Sequence, residues 1–321
     1  MIRNFAWRSA RGVVALLVIL LLALVPVYSG ATGEPYFMTL FLRIMIFALA
    51  ALSLAFILGY GGMVSFGHAL YLGVGAYSVG ILSFHGITAG WMHLATACVV
   101  SALVAVLTGL VCLRTSGMAF IMITLAFAQM FFFLMVSLRF YGGDDGLTIG
   151  RRSDFGAWLD IRDTRQFYYA VFALLMVSLY FGALFVHSRF GMVLRGCKLN
   201  ERRMSALGYP TLRYRLVAYV VSAVVCGVAG VLLANLSRFA SPEFMSWSRS
   251  GDLILMVVLG GVNSLLGSVV GALVFMSLEE VLARWIDHPM LVLGPAIVIV
   301  VLTLKQGLYG SLIKREARRQ P

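Results

Sequence analysis

The chain has 321 residues, of which 61% are hydrophobic and only 12% are charged, with a formal net charge of +12. The mean hydropathy of +0.95 excludes a water-soluble domain, because such a domain needs far more charge to cover its surface. Apolar runs of about 20 residues can span a bilayer as helices, and these runs do not alternate as barrel strands do. The sequence therefore predicts an all-α polytopic integral membrane protein with about eight to ten transmembrane helices.

Taken in chain order, the apolar spans are expected at positions 12–29, 37–58, 66–84, 92–113, 117–137, 167–187, 216–236, 251–283 and 290–304. The first span follows three arginines but no clean small-residue cleavage site follows it, so we predict an uncleaved span rather than a signal peptide. We expect a single transmembrane domain over residues 1–321. Its predicted parts are an N-terminal span and outer loop at 1–36, a first half at 37–137, an outer loop at 138–166, a second half at 167–304 and a basic tail at 305–321.

Lys and Arg are concentrated at the start of the chain, at Arg114, in the loop at 188–215 and in the tail at 305–321. Cytoplasmic segments of membrane proteins carry such an excess, so we expect these segments and both termini on the cytoplasmic side. This placement accounts for the positive charge, and no nucleic-acid partner is expected. The remaining loops are expected outside, at 138–166, where the charges balance, and at 30–36, 85–91, 237–250 and 284–289.

One apolar stretch, LGYGGMVSFGHALYLGVGAY from Leu58 to Tyr77, carries adjacent glycines, a serine and a histidine at membrane depth. If residues 37–84 formed one broken span, every later segment would be inverted and the basic loop would lie on the wrong side. The chain is therefore predicted to reverse direction at the glycines. The same argument predicts a second reversal within 251–283, at the stretch LGGVNSLLG.

The two reversing segments share a pattern, GGxxSxG at Gly61–Gly67 and GGxxSxxG at Gly260–Gly267, and we interpret them as a pseudo-repeat. Paired interruptions of this kind point to a transport pathway, although glycines also serve close helix packing. Helix N-termini just after Ser65 and Ser264 would favour an anionic group such as a carboxylate. The candidate pathway residues are Ser65, Gly67, His68, Asn263, Ser264, Gly267 and, in another span, Thr124 and Gln129. Hydrogen bonding between helices would explain the last two equally well.

The basic loop of the second half contains the signals of a short helix. Asn200 is a suitable N-cap, Glu201 suits the first turn, and Gly208 ends the helix. A helix of about seven residues is too short to be stable alone, so it requires a partner surface. Met204 and Leu207 form an exposed apolar pair, which we attribute to docking on another protein.

The segment NERRMSALG, Asn200–Gly208, resembles the permease signature of bacterial ABC importers. The chain also contains GYGGMVSFGHALYLGVGAY, MAFIMITLAFAQ at Met118–Gln129, GGDDGL at Gly142–Leu147 and LILMVVLGGVNSLLGSVVGA at Leu253–Ala272. With these segments in the expected order, residues 37–304 resemble the branched-chain amino acid permease family of the LivM type. Gln129 stands where that family often has a glutamate, so no carboxylate role is carried over.

This resemblance implies a permease subunit of an ATP-binding cassette importer in the bacterial inner membrane. Such a subunit receives a branched-chain amino acid or similar small carboxylate from a periplasmic binding protein and translocates it by alternating access. The implied partners are a homologous permease in a heterodimer, two separate ATPase subunits that use ATP and Mg²⁺, the binding protein and the lipid bilayer. The residues implied in ATPase coupling are Asn200, Glu201, Arg203, Met204, Ala206, Leu207 and Gly208.

Other functions fit the residues less well. No phosphate-binding loop and no catalytic cluster is present, so we expect neither an ATPase nor another enzyme, and no cofactor bound by this chain. The cysteines and histidines lack ligand spacing, so no metal site is expected. The alternative is an ion-coupled secondary transporter or channel for a small polar solute, which predicts ionisable residues deep in the spans, where Arg43 is the main example. The cargo stays open between branched-chain or other amino acids, amides or urea, and aromatic acids.

Overall fold

The computed structural model describes residues 10–156, 160–285, 290–303 and 307–310. The α-helices in these ranges are α1 (Ala10–Thr32), α2 (Pro35–Ala55), α3 (Ala69–Phe84), α4 (Gly90–Cys112), α5 (Met118–Ser137), α6 (Thr164–His187), α7 (Arg189–Leu199), α8 (Glu201–Ala206), α9 (Thr211–Ser237), α10 (Trp247–Gly260), α11 (Leu265–Ala283) and α12 (Met290–Thr303). Strands β1 (Leu147–Thr148) and β2 (Phe239–Ala240) form one short antiparallel pair. The predicted basic N-terminus before residue 10 and most of the predicted tail at 305–321 lie outside the described residues.

Seven helices in the described ranges are long and apolar enough to cross a membrane. They are α1, α2 with the π-helical turn Phe56–Tyr60 that continues it, α4, α5, α6, α9 and α11. With the shorter apolar helix α3, the described ranges hold eight candidate membrane helices, which is within the predicted range. The prediction of an all-α polytopic membrane protein is confirmed.

The two short helices α7 and α8 lie between the membrane-crossing helices α6 and α9, and we call the membrane face that holds them the basic face. Its basic residues in the segments 113–117 and 188–215 are Arg114, Arg189, Arg195, Lys198, Arg202, Arg203, Arg213 and Arg215. Glu201 is the one acidic residue in those segments. The other membrane face is called the opposite face.

The chain reverses direction at the first glycine segment, as predicted. The end of α2 reaches the basic face, where its π-helical turn packs against α7. In contrast, α3 runs parallel to α9, because Gly75 of α3 packs on Gly227 of α9, and Gly80 packs on Ala240 just beyond the end of α9. Since α9 leads away from the basic face, α2 and α3 point in opposite directions.

The second reversal is also present. Helices α10 and α11 pack as an antiparallel pair, with Gly260 against Gly267 and Gly271 against Met256. A Cβ atom on Gly260 would lie 1.8 Å from the carbonyl oxygen of Gly267, so the two backbones touch. Beyond α12, Gly307 lies against Gly260, which brings this part of the chain back to the basic face.

The sequence predicts that residues 237–250 form an outer loop, and the structure corrects this prediction. Only the start of the segment lies at the opposite face, where Ala240 packs on Gly80 of α3. The chain then descends along α3 until Ser250 contacts Ala69 at the first residue of that helix. Gly80 is eleven positions beyond Ala69, which corresponds to about 16 Å along the helix axis. Residues 241–250 therefore form a re-entrant segment, and α10 crosses only the half of the membrane next to the basic face.

Packing explains why this polar segment enters the membrane. Its short 3₁₀-helix, Pro242–Met245, packs against α3 and α5. The fully buried Met245 side chain occupies the space that Gly73 leaves open, since a Cβ atom there would lie 2.1 Å from the Met245 Cγ. At membrane depth, a backbone segment that is not helical is stable only where other parts of the protein surround its polar N–H and C=O groups. Helices α3 and α5 surround this segment.

Small residues allow α3 and α9 to approach closely. A Cβ atom on Gly75 would lie 1.9 Å from the Gly227 carbonyl oxygen, and one on Gly230 would lie 2.0 Å from the Leu72 carbonyl oxygen. Backbone contact of this kind is typical of helix pairs in membranes, where packing replaces the hydrophobic effect as the main attraction. The α3–α9 pair forms the centre of the molecule, with α2 and α4 also packed on α9.

Candidate functional site

The predicted short helix in the basic loop is present as α8. The Asn200 side chain caps it by accepting a hydrogen bond from the Arg203 backbone N–H at 3.0 Å. Gly208 has a φ of +86°, a left-handed conformation that favours glycine and ends the helix. Arg203 and Ala206 are exposed on this helix. The structure thus confirms the local geometry, while the assignment of these residues to ATPase coupling stays a prediction.

Glu201 binds the protein itself. Its carboxylate accepts two hydrogen bonds from one nitrogen of the Arg215 guanidinium, at 2.9 and 2.8 Å. Arg215 lies in the second turn of α9, and its side chain is 10% exposed. This charge-assisted contact fixes the start of α8 to a membrane-crossing helix.

The exposed apolar surface on α7 and α8 differs from the predicted pair. Met204 is half-buried, because its side chain packs on Gly196 of α7. Leu207 is 66% exposed, and Leu199, which the sequence analysis missed, is 87% exposed. Met192 and Tyr209 add further exposed apolar area to this surface. We call Met192, Leu199, Leu207 and Tyr209 the docking row.

Lys198 connects α7 to both glycine turns. Its Nζ donates a hydrogen bond to the Gly59 carbonyl oxygen at 2.6 Å and another to the Asn263 Oδ1 at 3.3 Å. The two turns also touch each other directly, since the Tyr60 hydroxyl donates to the Asn263 carbonyl oxygen at 3.2 Å. A Cβ atom on Gly59 would lie 2.1 Å from the Val262 carbonyl oxygen. One side chain therefore holds the two reversing segments and α7 together.

Among the predicted pathway residues, the structure brings together those of the first turn and α5. Gly67 packs on the Thr124 backbone, and the Phe66 N–H donates to the Thr124 Oγ1 at 3.2 Å. Ser65 and His68 are fully buried, and the His68 Nε2 lies 2.8 Å from the Ser53 Oγ of α2. These polar groups form a network in the membrane interior.

The second turn places its residues elsewhere. Asn263 is exposed at the basic face and contacts Lys198, whereas His68 lies in the interior. Gly267 serves the close contact between α10 and α11. The half-buried Gln129 lies five residues beyond Thr124 on α5, about 7.5 Å nearer the opposite face. The role of all these residues in a substrate pathway stays a prediction.

The predicted helix starts are confirmed at one turn and wrong at the other. Ser264 caps α11, with its Oγ accepting a hydrogen bond from the Gly267 N–H at 3.1 Å. At the first turn, α3 begins only at Ala69, and its N-cap position is His68. Ser65 instead accepts from the Gly67 N–H within a turn that precedes the helix. The difference arises because the chain must pass from the basic face into the membrane interior before α3 can start.

Two half-length helices start at the same point in the membrane interior. The Ala69 N–H at the start of α3 donates to the Ser250 Oγ in the first turns of α10 at 3.1 Å. From this point α3 leads to the opposite face and α10 to the basic face. Both helix N-termini therefore present their positive dipole ends to the middle of the membrane.

Arg249, which adjoins Ser250 in the chain, forms ion pairs with Glu243 and Asp252 that the prediction of residues 237–250 as an outer loop did not include. One nitrogen of the Arg249 guanidinium lies 3.0 Å from a Glu243 oxygen, and another lies 3.6 Å from an Asp252 oxygen. Arg43, the charged residue that the sequence singles out, lies instead over the Phe47 ring at 6.0 Å. The sequence signal for this segment is its pair of helix caps, Ser241 and Ser246. The Ser241 hydroxyl accepts a hydrogen bond from the Glu243 N–H, and the Ser246 hydroxyl accepts one from the Arg249 N–H.

Comparison with known proteins identifies the family. The family model for the branched-chain amino acid transport system permease component matches residues 36–305. The high-affinity branched-chain amino acid transport system permease protein LivM of Salmonella typhimurium is 28% identical over 291 residues, covering 82% of this chain and 68% of that protein. The corresponding LivM of Escherichia coli is 27% identical over 291 residues, with the same coverage of both chains.

A second group of relatives is also similar. The permease protein LivH of Escherichia coli, from the same type of transport system, is 23% identical over 285 residues, covering 82% of this chain and 91% of that protein. No solved structure matches the chain. The chain is a multi-pass membrane protein that belongs to the family of permease components of branched-chain amino acid transport systems.

Proposed function

We propose that this chain is the transmembrane subunit of an ATP-binding cassette importer that translocates an amino acid, branched-chain or similar. The observation that carries the proposal is the connection between the docking row and the glycine turns. The exposed apolar side chains of the docking row lie on α7 and just after α8, and Lys198 of α7 contacts both turns. Exposed apolar area on a charged loop is typical of a protein interface.

The proposed partners follow from the family. Two ATPase subunits would dock on α7 and α8 and would use ATP and Mg²⁺, while this chain holds no cofactor of its own. LivM and LivH relatives are both named as permeases of one type of transport system, which supports a homologous partner permease. A periplasmic binding protein would deliver the amino acid to the opposite face. We place the chain in the bacterial inner membrane with both termini cytoplasmic, since the basic face then meets the cytoplasm.

The proposed mechanism is alternating access driven from the basic face. Closure of the ATPase subunits would move α7 and α8, and the Glu201–Arg215 contact would carry that movement to α9. Lys198 would carry it to the two turns, and so to the ends of α2 and α10. Movement of α10 would change the meeting point of the two half-helices in the membrane interior. Coupling of this kind requires an element with two arrangements, and we assign that role to the re-entrant segment.

The test is co-purification of the ATPase subunits with substituted forms of this chain. Leu207→Asp places a charge in the docking row, so we expect the ATPase subunits to be lost while the chain still inserts into the membrane. Phe140→Asp is the matched control, because Phe140 is 69% exposed at the opposite face. Retention of the ATPase subunits by Leu207→Asp and Leu199→Asp alike would overturn the proposed docking surface.

One observation favours a second function. An ion-coupled transporter requires ionisable residues in the membrane interior, and Arg249 and Asp252 lie there. This candidate predicts uptake by the chain alone in vesicles with an ion gradient and without ATP. The two functions are therefore separated by the energy source of uptake.

A further inference from the structure

The charged residues of the re-entrant segment lie at a depth where charge is costly. Ser250 contacts Ala69, and the adjacent His68 contacts Ser53 of α2. Ala69 lies 15 residues before the end of α3, about 22 Å from the opposite face, and Ser250 lies 10 residues before the end of α10, about 15 Å from the basic face. Arg249 adjoins Ser250 in sequence, so its backbone lies well inside the hydrocarbon region, whose thickness is about 30 Å.

The surface around Arg249 is polar and accessible. The Glu243 side chain is 67% exposed and that of Arg249 is 26% exposed, while that of Asp252 is 13% exposed. A carboxylate as exposed as that of Glu243 does not face lipid, because ionisable groups in membrane segments face a bundle interior or a water-filled cavity. The exposed side of the re-entrant segment therefore faces water or another protein rather than lipid.

We infer that Arg249, Glu243 and Asp252 form a binding site for a zwitterionic amino acid in the middle of the membrane. This inference rests on the proposed transport function and names the residues that bind its substrate. Arg249 binds the substrate carboxylate in place of the exposed Glu243, and the released Glu243 carboxylate binds the substrate ammonium group. Asp252 stays beside Arg249 and keeps the guanidinium in position.

The balance of charge selects the substrate class. Two carboxylates surround one guanidinium, so a purely anionic acid meets net repulsion. An uncharged amide or urea offers no charge to replace the ion pair between Arg249 and Glu243. Separating that pair would leave charged groups desolvated without a partner, which is unfavourable. A zwitterion supplies both a carboxylate for Arg249 and an ammonium for Glu243. The N-termini of α3 and α10 add a favourable field for the carboxylate.

The first test measures whether the site meets water. Glu243→Cys is treated in membranes with a charged, membrane-impermeant methanethiosulfonate reagent. The control is Val177→Cys, because Val177 is 48% exposed near the middle of the apolar helix α6. We expect Glu243→Cys to react at least about ten-fold faster, since the reagent enters water but not lipid. Equal, slow modification of both variants would overturn the inference. This result does not depend on ATPase subunits.

The second test measures uptake of L-leucine by the complex with its partner permease, ATPase subunits and binding protein in proteoliposomes. ATP-driven uptake by the unsubstituted complex is measured first, and its absence would count against the proposed function rather than the site. We then expect Arg249→Gln to lower the maximal uptake rate at least about ten-fold, because a charge-assisted contact is lost. Arg249→Lys is expected to keep part of the rate.

Two variants keep the second test decisive. If Arg249→Gln fails to insert, Glu243→Gln decides, since the exposed Glu243 side chain is not needed for folding. We expect Glu243→Gln to lower leucine uptake while the ATPase subunits still co-purify. Arg151→Gln, which removes an exposed charge outside the membrane, is the matched control and should transport normally. Normal leucine uptake by Glu243→Gln and Arg249→Lys together would overturn the site.

Discussion

The backbone N–H of Ala69 donates a hydrogen bond to the Ser250 Oγ at 3.1 Å, and this contact joins the starts of two half-helices inside the membrane. The residues are 181 positions apart in the chain. One helix leads from the contact to the opposite face and the other to the basic face. Movement of either half-helix must therefore alter the point where they meet.

Removing this contact should destabilise the protein. In Ser250→Ala the Ala69 N–H loses its partner in a fully buried position, which costs about 1–3 kcal/mol. The free energy of unfolding is measured by titration with a denaturing detergent. Ser137→Ala is the control, because the exposed Ser137 hydroxyl bonds only to the Leu134 carbonyl oxygen of its own helix. An equal effect of the two substitutions would contradict the importance of the contact.

The close approach of α3 and α9 predicts a strong effect at Gly75. A methyl group in Gly75→Ala would lie 1.9 Å from the Gly227 carbonyl oxygen, so the helices must separate at a cost of about 3 kcal/mol. Gly251→Ala is the matched control, since no atom lies within 4 Å of the added methyl group. It should be neutral or stabilising by up to about 1 kcal/mol in thermal unfolding, because glycine weakens a helix. Similar melting temperatures for both variants would contradict the close packing of α3 against α9.

Lys198 should matter for coupling more than for assembly. Lys198→Met removes both hydrogen bonds to the turns but keeps most of the apolar side chain. We expect ATP-driven uptake to fall at least about five-fold while the ATPase subunits still bind and hydrolyse ATP. Arg189→Met, an exposed charge on the same helix, should keep uptake. A parallel loss of ATPase binding and uptake in Lys198→Met would assign the residue to docking instead.

The Glu201–Arg215 contact predicts rescue by charge exchange. Glu201→Arg leaves Arg215 without its partner, so α8 should lose its fixed position and ATPase association should weaken at least about ten-fold. The double variant Glu201→Arg with Arg215→Glu restores the pair and should recover most of the affinity. Failure of the double variant to recover any affinity would indicate that Glu201 itself contacts the ATPase subunit.

Local chemistry and charge placement predicted much of this structure from the sequence. The Asn200 cap and Gly208 define α8 within the chain itself, so no distant contact is needed to find it. The two reversals followed from the positions of Lys and Arg, because each extra crossing inverts all later loops. These features depend on neighbouring residues or on whether the number of preceding membrane crossings is odd or even.

The rest depends on contacts between distant residues. The re-entrant segment enters the membrane because Met245 fits the space at Gly73, a fit that neither local sequence predicts. The start of α3 at Ala69 follows from its contact with Ser250 in the other half. The sequence alone therefore predicts the wrong depth for Arg249 and does not reveal its ion pairs with Glu243 and Asp252.

We propose that ATP hydrolysis by partner subunits drives an amino acid through this chain. The most direct test measures uptake of labelled L-leucine into proteoliposomes that contain the full complex, with all ion gradients collapsed. We expect uptake to require hydrolysable ATP and to stop with a non-hydrolysable analogue. Uptake by this chain alone, driven by a sodium or proton gradient without ATP, would contradict it.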